Sequence, residues 1–435
     1  MRLLLRILPV AVVSFAATLA VLALGRDGSG AGPAPRHAAA TPALPPRASI
    51  DQRIRVLQET VRAAPTRAAG YTLLAGAYLQ KVRESGDASF YARAQQAVDR
   101  ALRLDPADAG ALTARGALAL ARHDFRAGLA DARRARAIAP DVNKPFGVLV
   151  DALVELGRYR EAGRALQAMV DRRPDLAAYA RVSYFRELHG DLDGAVAAMR
   201  LAAGAGGDVP ESDAYVRTLL GGLELQRGRV GAARREYRRV LLSVPGHPAA
   251  QAGLARVDVA RGDLRAAIAR LRRVVDRLPL PEHVIALGEA ELAAGRTAAA
   301  RRDLDVVRAE QRLLGRSGVN TDVELAVFEA DHGRPERAVA LARRAWASAS
   351  SVRSADALGW ALTRAGRARE ALPWARRALA LGSRDPSFLY HAGIAARDTG
   401  ERELARARLR GAVSGRAALS GLHGARAARA LEALR

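Results

Sequence analysis

The chain has 435 residues and no cysteine, which removes disulfides, thiolate metal ligands, thiol nucleophiles and a lipid-modified N-terminal cysteine. Half of it is hydrophobic, only 4% is aromatic, and the formal net charge is +24. So few stacking platforms count against single-stranded nucleic acid as a partner in spite of the charge.

Arg2 and Arg6 precede an uncharged, mostly apolar run from Ile7 to Leu24, and Arg26 and Asp27 follow it. The run exceeds an ordinary signal-peptide core and sits at the lower limit for a bilayer-spanning helix. Residues 1–25 therefore read as a hydrophobic helix that is either a transmembrane anchor or a cleaved signal peptide, Ala23-Leu24-Gly25 being a small-x-small site. The leading arginines favour a cytoplasmic N-terminus, which places the remainder outside the membrane. Residues 26–49, with Pro33, Pro35, Pro42, Pro45 and Pro46, have the composition of a flexible Gly/Ala/Pro tether.

From Ile50 onward the spacing predicts helices throughout. Ile50 to Ala64, closed by Pro65, reads as a single capping helix. Beyond it, eight glycines are each followed five residues later by alanine: Gly157/Ala162, Gly190/Ala195, Gly228/Ala233, Gly262/Ala267, Gly295/Ala300, Gly333/Ala338, Gly366/Ala371 and Gly400/Ala405. Successive glycines lie 33, 38, 34, 33, 38, 33 and 34 residues apart. A period near 34 is the mark of a repeat array, whose copies pack on their neighbours. Residues 141–174 are the clearest copy. Phe146, Leu149, Val150, Leu153 and Leu156 form one helical stripe, Gly157 reverses the chain, and Tyr159, Ala162, Leu166, Met169 and Val170 form a second stripe before Pro174. Leu220-Gly221, Leu287-Gly288, Leu358-Gly359 and Ala392-Gly393 place a small residue inside the first helix. A helical glycine costs about 1 kcal/mol against alanine, so a close helix crossing is expected there, with the post-turn alanine as counterpart.

This pattern resembles the tetratricopeptide repeat over roughly residues 66–412, in about ten copies. The first copy carries an insertion around Arg83–Phe90, and His123 stands in the second where the turn glycine is expected. The resemblance implies an all-α, right-handed superhelical solenoid of antiparallel helix pairs spanning 50–435, with Ala417–Arg435 as a closing cap. The two 38-residue gaps, near 204–212 and 313–322, lengthen a helix or a loop between repeats and are either sub-array breaks or loop growth; cheap loop insertion favours the latter.

The resemblance also implies that first helices line a concave groove where a protein or peptide partner binds. Groove candidates are Asp151, Tyr184, Thr218, Arg256, Glu289, Asp356, Trp360 and Tyr390. Trp360 and Tyr390, in adjacent repeats, would form either an aromatic patch for an apolar anchor or ordinary packing. Arginine pairs recur on the second helices at Arg133-Arg134, Arg238-Arg239, Arg272-Arg273, Arg343-Arg344 and Arg376-Arg377. They would align as a stripe that either attracts an envelope polyanion or is a solvated outer face. Glu224, Asp258, Glu291 and Glu329 stand four residues before successive turns; as partly buried acids they are expected to pair with arginines of neighbouring helices. The eight histidines show no metal-ligand spacing, and no nucleophile or phosphate-loop motif occurs, so neither cofactor nor metal nor catalysis is expected. The expectation is a non-enzymatic, exported interaction scaffold, with polyanion binding through the arginine stripe as the alternative.

Overall fold

The computed structural model describes residues 48–206 and 210–435. The apolar segment 1–25, nearly all of the 26–49 tether and part of the first gap lie outside the described residues. Among those described there are 22 α-helices, one 3-10 turn and no strand. Helix α1 (Ile50–Ala63) opens the array. Ten antiparallel pairs follow, beginning with α2 (Ala68–Ser85) and α3 (Ser89–Leu104), α4 (Ala109–Ala121) and α5 (Phe125–Ile138), and α6 (Lys144–Glu155) and α7 (Tyr159–Arg172). Next come α8 (Leu176–Leu188) and α9 (Leu192–Gly204), α10 (Pro210–Gln226) and α11 (Val230–Ser243), and α12 (Pro248–Ala260) and α13 (Leu264–Arg277). The last four pairs are α14 (Pro281–Ala293) and α15 (Thr297–Arg316), α16 (Asp322–His332) and α17 (Pro335–Ser348), α18 (Val352–Arg364) and α19 (Ala368–Ala378), and α20 (Pro386–Asp398) and α21 (Arg402–Ser414). A 3-10 turn (Arg416–Ala418) and α22 (Gly421–Glu432) close the chain.

Seven of the eight turn glycines adopt left-handed backbone with φ between 71° and 83°, and His123 takes the same conformation at φ 60°. Gly333 departs from the pattern at φ −134°. Asp124, Asp191 and Asp263, each directly after a turn, accept a hydrogen bond from a backbone N–H three residues on and so start the second helix.

All eight post-turn alanines have no solvent exposure. Gly359 lies against the α19 backbone that includes Ala371, near the expected counterpart, but the other helical glycines face a different partner. A Cβ on Gly221 or Gly253 would run into the ring of Tyr237, and one on Gly288 or Gly393 into Leu304 or Leu409. Tyr237, Leu304 and Leu409 each lie nine residues after a turn glycine, so glycine accommodates the large side chain of the second helix while alanine fills the space near the turn. The second 38-residue gap is also not loop growth. It extends α15 to 20 residues, against 14 for α13 and α17.

Packing on sequence neighbours is not the whole account. The turn edges of the second to fifth pairs meet chain in or beside the loop that follows the pair five places later. Asn320 donates its backbone N–H to the Arg122 carbonyl at 3.0 Å, and its carbonyl faces His123 Nδ1 at 2.5 Å. Arg126 donates to the Ala347 carbonyl (2.9 Å), and the Val352 N–H donates to the Tyr159 hydroxyl (2.8 Å). Gly190 lies against the Gly382 carbonyl, and Gly415 against that of Gln226. Successive turns of the superhelix are therefore stitched edge to edge, and the lengthened α15 delivers the first stitch.

Gly157 and Gly366 separate this contact from the local conformational requirement. Both have positive φ, but a Cβ at Gly157 would strike the Ser350 carbonyl while one at Gly366 would meet nothing. Gly366→Ala should cost about 1 kcal/mol, and Gly157→Ala roughly 2–3 kcal/mol with a more open superhelix. Denaturant melts and small-angle scattering of both variants check this.

Candidate partner-binding surfaces

The inner helices place the eight groove candidates unequally. Asp151 on α6 is 3% exposed and takes a two-pronged ion pair from Arg181 on α8, at 2.9 and 2.7 Å; Arg181 is itself 1% exposed and also donates to the Ala177 carbonyl. Burial raises the Asp151 carboxyl above its ordinary range, against the pull of Arg181. Tyr184 and Thr218 are half-buried, the Thr218 hydroxyl donating to the Ala214 carbonyl, and Arg256 is exposed. The remaining four come together farther along the array.

There Trp360 donates its indole N–H to Asp331 at 3.1 Å and stacks on His391 with centroids 4.2 Å apart. His391 Nδ1 sits 2.9 Å from Asp356. His332 Nε2 lies 3.0 Å from Glu289, and His423 Nε2 lies 3.2 Å from Asp331 while its ring packs on Tyr390. Trp360 is 1% exposed and Tyr390 4%. Their aromatic surface is therefore spent on internal contacts, as are the carboxylates of Glu289 and Asp356. Burial raises the Asp331 carboxyl, but the facing histidines, His423 first, more than offset it and hold it below the ordinary range.

Sequence spacing hid this cluster. His332 stands one residue before a turn glycine, His391 nine before another, and His423 lies past the last repeat. No shared phase marks them. They meet because α16, α20 and α22 stand on the same inner wall and α22 also packs on α14. Glu289, Asp331 and His332 present ligand atoms that all lie within 4.8 Å of one another.

The four pre-turn carboxylates pair with arginine, as expected. Glu224 and Glu329 are 1% and 0% exposed. Glu224 reaches Arg200 on the preceding α9 (3.0 Å), Glu291 reaches Arg272 on the preceding α13, and Glu329 reaches Arg308 on the preceding α15 (3.1 Å). Asp258 instead pairs with Arg270 within its own repeat, at 3.0 Å. These acids staple one pair of helices to the next.

The arginine pairs all lie on second helices and are exposed, except half-buried Arg272. Several have partners. Arg133 meets Glu161 (3.7 Å), Arg239 meets Glu236 (3.7 Å), Arg344 meets Asp322 (2.7 Å) and Arg376 meets Glu401 (3.3 Å). Arg377 covers the rings of Trp346 and Trp374, 5.2 Å from each centroid. Arg134, Arg238, Arg273 and Arg343 enter no ion pair among the described residues.

An open cleft of about 710 Å³ runs along the seam between superhelical turns. Arg158, Arg160, Arg164, Phe185, His189 and Leu381 are among its lining residues. Arg158 is held by Glu161 through two bonds of 2.7 Å, whereas Arg160 and Arg164 are exposed. Gly163 keeps the Phe185 ring in place, since a Cβ there would press on it at 3.2 Å. Arg160 and Arg164, both on α7, thus line one side of this open depression beside partly buried Phe185 and Leu381. A second space of about 20 Å³ between His123, Glu155, Asn320 and Arg353 holds nothing larger than water.

Two stability tests follow from these charges. Arg181→Met leaves Asp151 buried and unpaired and should cost about 3–5 kcal/mol, most of it recovered in Asp151→Leu/Arg181→Met; chemical denaturation measures both. Glu310 on α15 is 7% exposed, its Oε2 has no hydrogen-bond partner, and burial, with Glu282 adding, raises its carboxyl to about 8. A folded value above the unfolded one favours folding most below about pH 4, and that contribution is lost as pH rises through 8. Glu310→Gln should therefore flatten the fall in stability between pH 5 and 8, by about 2 kcal/mol at pH 8, as read from thermal melts across that range.

Comparison with known proteins agrees with the helix pairing. Residues 148–210 and 224–287 each match a family model described as tetratricopeptide repeat. No curated protein matches the chain significantly. Among solved structures, the crystal structure of the APC/C hetero-tetramer Cut9-Hcn1 is similar over 88% of this chain and 93% of that one, at 13% identity and a TM-score of 0.37. That of YrrB, a TPR protein with an unusual peptide-binding site, is similar over 51% of this chain and 92% of that one, at 18% identity and a TM-score of 0.24. The two matched stretches fall on helix pairs of the array and support tetratricopeptide-repeat character there.

Proposed function

We propose that this chain is a non-enzymatic protein–protein interaction scaffold of the cell envelope, exported through its N-terminal apolar segment. Tetratricopeptide-repeat proteins generally mediate protein–protein contacts. The observation that carries the choice of surface is the open cleft at the seam: Arg160 and Arg164 stand exposed beside Phe185 and Leu381. An acidic segment carrying an apolar side chain fits that combination, the charges setting approach and register and the apolar residues holding the anchor. Tyr184, Thr218 and Arg256, the groove candidates that keep solvent contact, extend the surface available to a protein or peptide partner.

Cross-linking the full chain in intact cells, followed by capture, tests this reading. Envelope proteins should be recovered, and Arg160→Glu/Arg164→Glu should reduce capture of the main partner about tenfold, a loss of roughly 1.4 kcal/mol. Recovery of cytosolic proteins alone would sink the exported assignment, and unchanged capture would sink the cleft. The alternative role, an adaptor for anionic lipid or wall polymer, draws support from Arg134, Arg238, Arg273 and Arg343, exposed arginines of the stripe that enter no ion pair among the described residues. It requires binding that weakens steeply with salt and falls on Arg238→Gln/Arg273→Gln.

A further inference from the structure

We infer that Glu289, Asp331 and His332, with His423 beside them, form a site for a divalent transition metal of the zinc class that locks the C-terminal helix to the inner wall of the superhelix. Two ligand-atom pairs carry the argument: His332 Nε2 and Glu289 Oε1 are 3.0 Å apart, and His423 Nε2 and Asp331 Oδ1 are 3.2 Å apart. Donor atoms at about 2.0–2.2 Å from a tetrahedral zinc stand about 3.3–3.5 Å from one another. Glu289, Asp331 and His332 already converge within 4.8 Å, a span that small side-chain rotations close. One imidazole and two carboxylates, with the His423 imidazole 3.2 Å from Asp331 as the candidate fourth ligand, make a borderline donor set, suited to zinc rather than to calcium or magnesium.

The surroundings suit a metal better than they suit simple hydrogen bonds. His423 Nε2 is shut off from solvent and has no hydrogen-bond partner of acceptable geometry, despite its closeness to Asp331. One outer-shell hydrogen bond of the kind metal ligands use is in place, and the two imidazole rings are packed against aromatic neighbours. Trp360 donates to Asp331 at 3.1 Å, the His332 ring packs beside Phe328 at 5.6 Å, and the His423 ring beside Tyr390 at 5.5 Å. The ligands come from α14, α16 and α22, so one ion would join helices separated by more than 130 residues of chain.

The untagged full-length chain, stripped with a chelator and dialysed, provides the test. Titration with zinc against a chromophoric competitor should give one site per chain, and the thermal midpoint should rise when zinc is added. Cobalt(II) in its place should give the intense visible bands of a four-coordinate ion. His332→Gln should weaken zinc by more than the ~10–100-fold typical of losing an outer-shell partner, and His423→Gln by about tenfold or more. His391→Gln, whose ring faces Asp356 outside the ligand set, should bind as the native chain does. Absence of a stoichiometric site in the native chain overturns the proposal. So does zinc affinity that His332→Gln and Glu289→Gln, checked for helicity by circular dichroism, leave unchanged.

Discussion

The architecture depends on how closely the two helices of each pair approach. Eight alanines with no exposed surface sit just beyond the turns, and glycines inside the first helices receive the ring of Tyr237 or the branched ends of Leu304 and Leu409. A larger residue at either place forces the pair apart, because protein interiors have no slack for an added methyl group. Close pairs stack into a narrow superhelix. Once it is narrow, its turns touch, and segments about five pairs apart are joined by hydrogen bonds such as that from the Asn320 N–H to the Arg122 carbonyl.

Stacking alone would leave many acids stranded. Glu224, Glu291 and Glu329 are almost fully enclosed, and each reaches back to an arginine on the second helix of the preceding pair. These contacts contribute little net stability against apolar replacements, yet they penalise any shift of one pair against the next, because a displaced carboxylate would be left without a partner. They also account for part of the high arginine content. Some of the positive charge is structural, and much of the rest among the described residues lies exposed on the second helices.

The same narrowing decides what is left for a partner. Asp151, Glu289, Asp356, Trp360 and Tyr390 lie on the inner helices, where the groove was expected, and spend their polar and aromatic surface on one another or on Arg181, His332 and His391. An accessible concavity lies at the seam between turns, where Arg160 and Arg164 overlook Phe185.

The helix pairs, their turns and the pairing of the pre-turn acids were legible in the sequence, because each depends on residues within about one repeat of each other. A left-handed turn calls for glycine, a close crossing calls for alanine or glycine, and an enclosed acid calls for a nearby arginine; all of these leave a periodic trace. The seam and the histidine cluster left none. His123 meets Asn320 across 197 residues, and His332, His391 and His423 occupy unrelated phases, so no spacing rule connects them. Growth of α15 instead of its loop was hidden for the same reason, since its purpose is a contact with the second repeat. Sequence alone determined the local unit and its period; the pitch of the superhelix, a sum of small rotations over ten pairs, decided which distant residues meet.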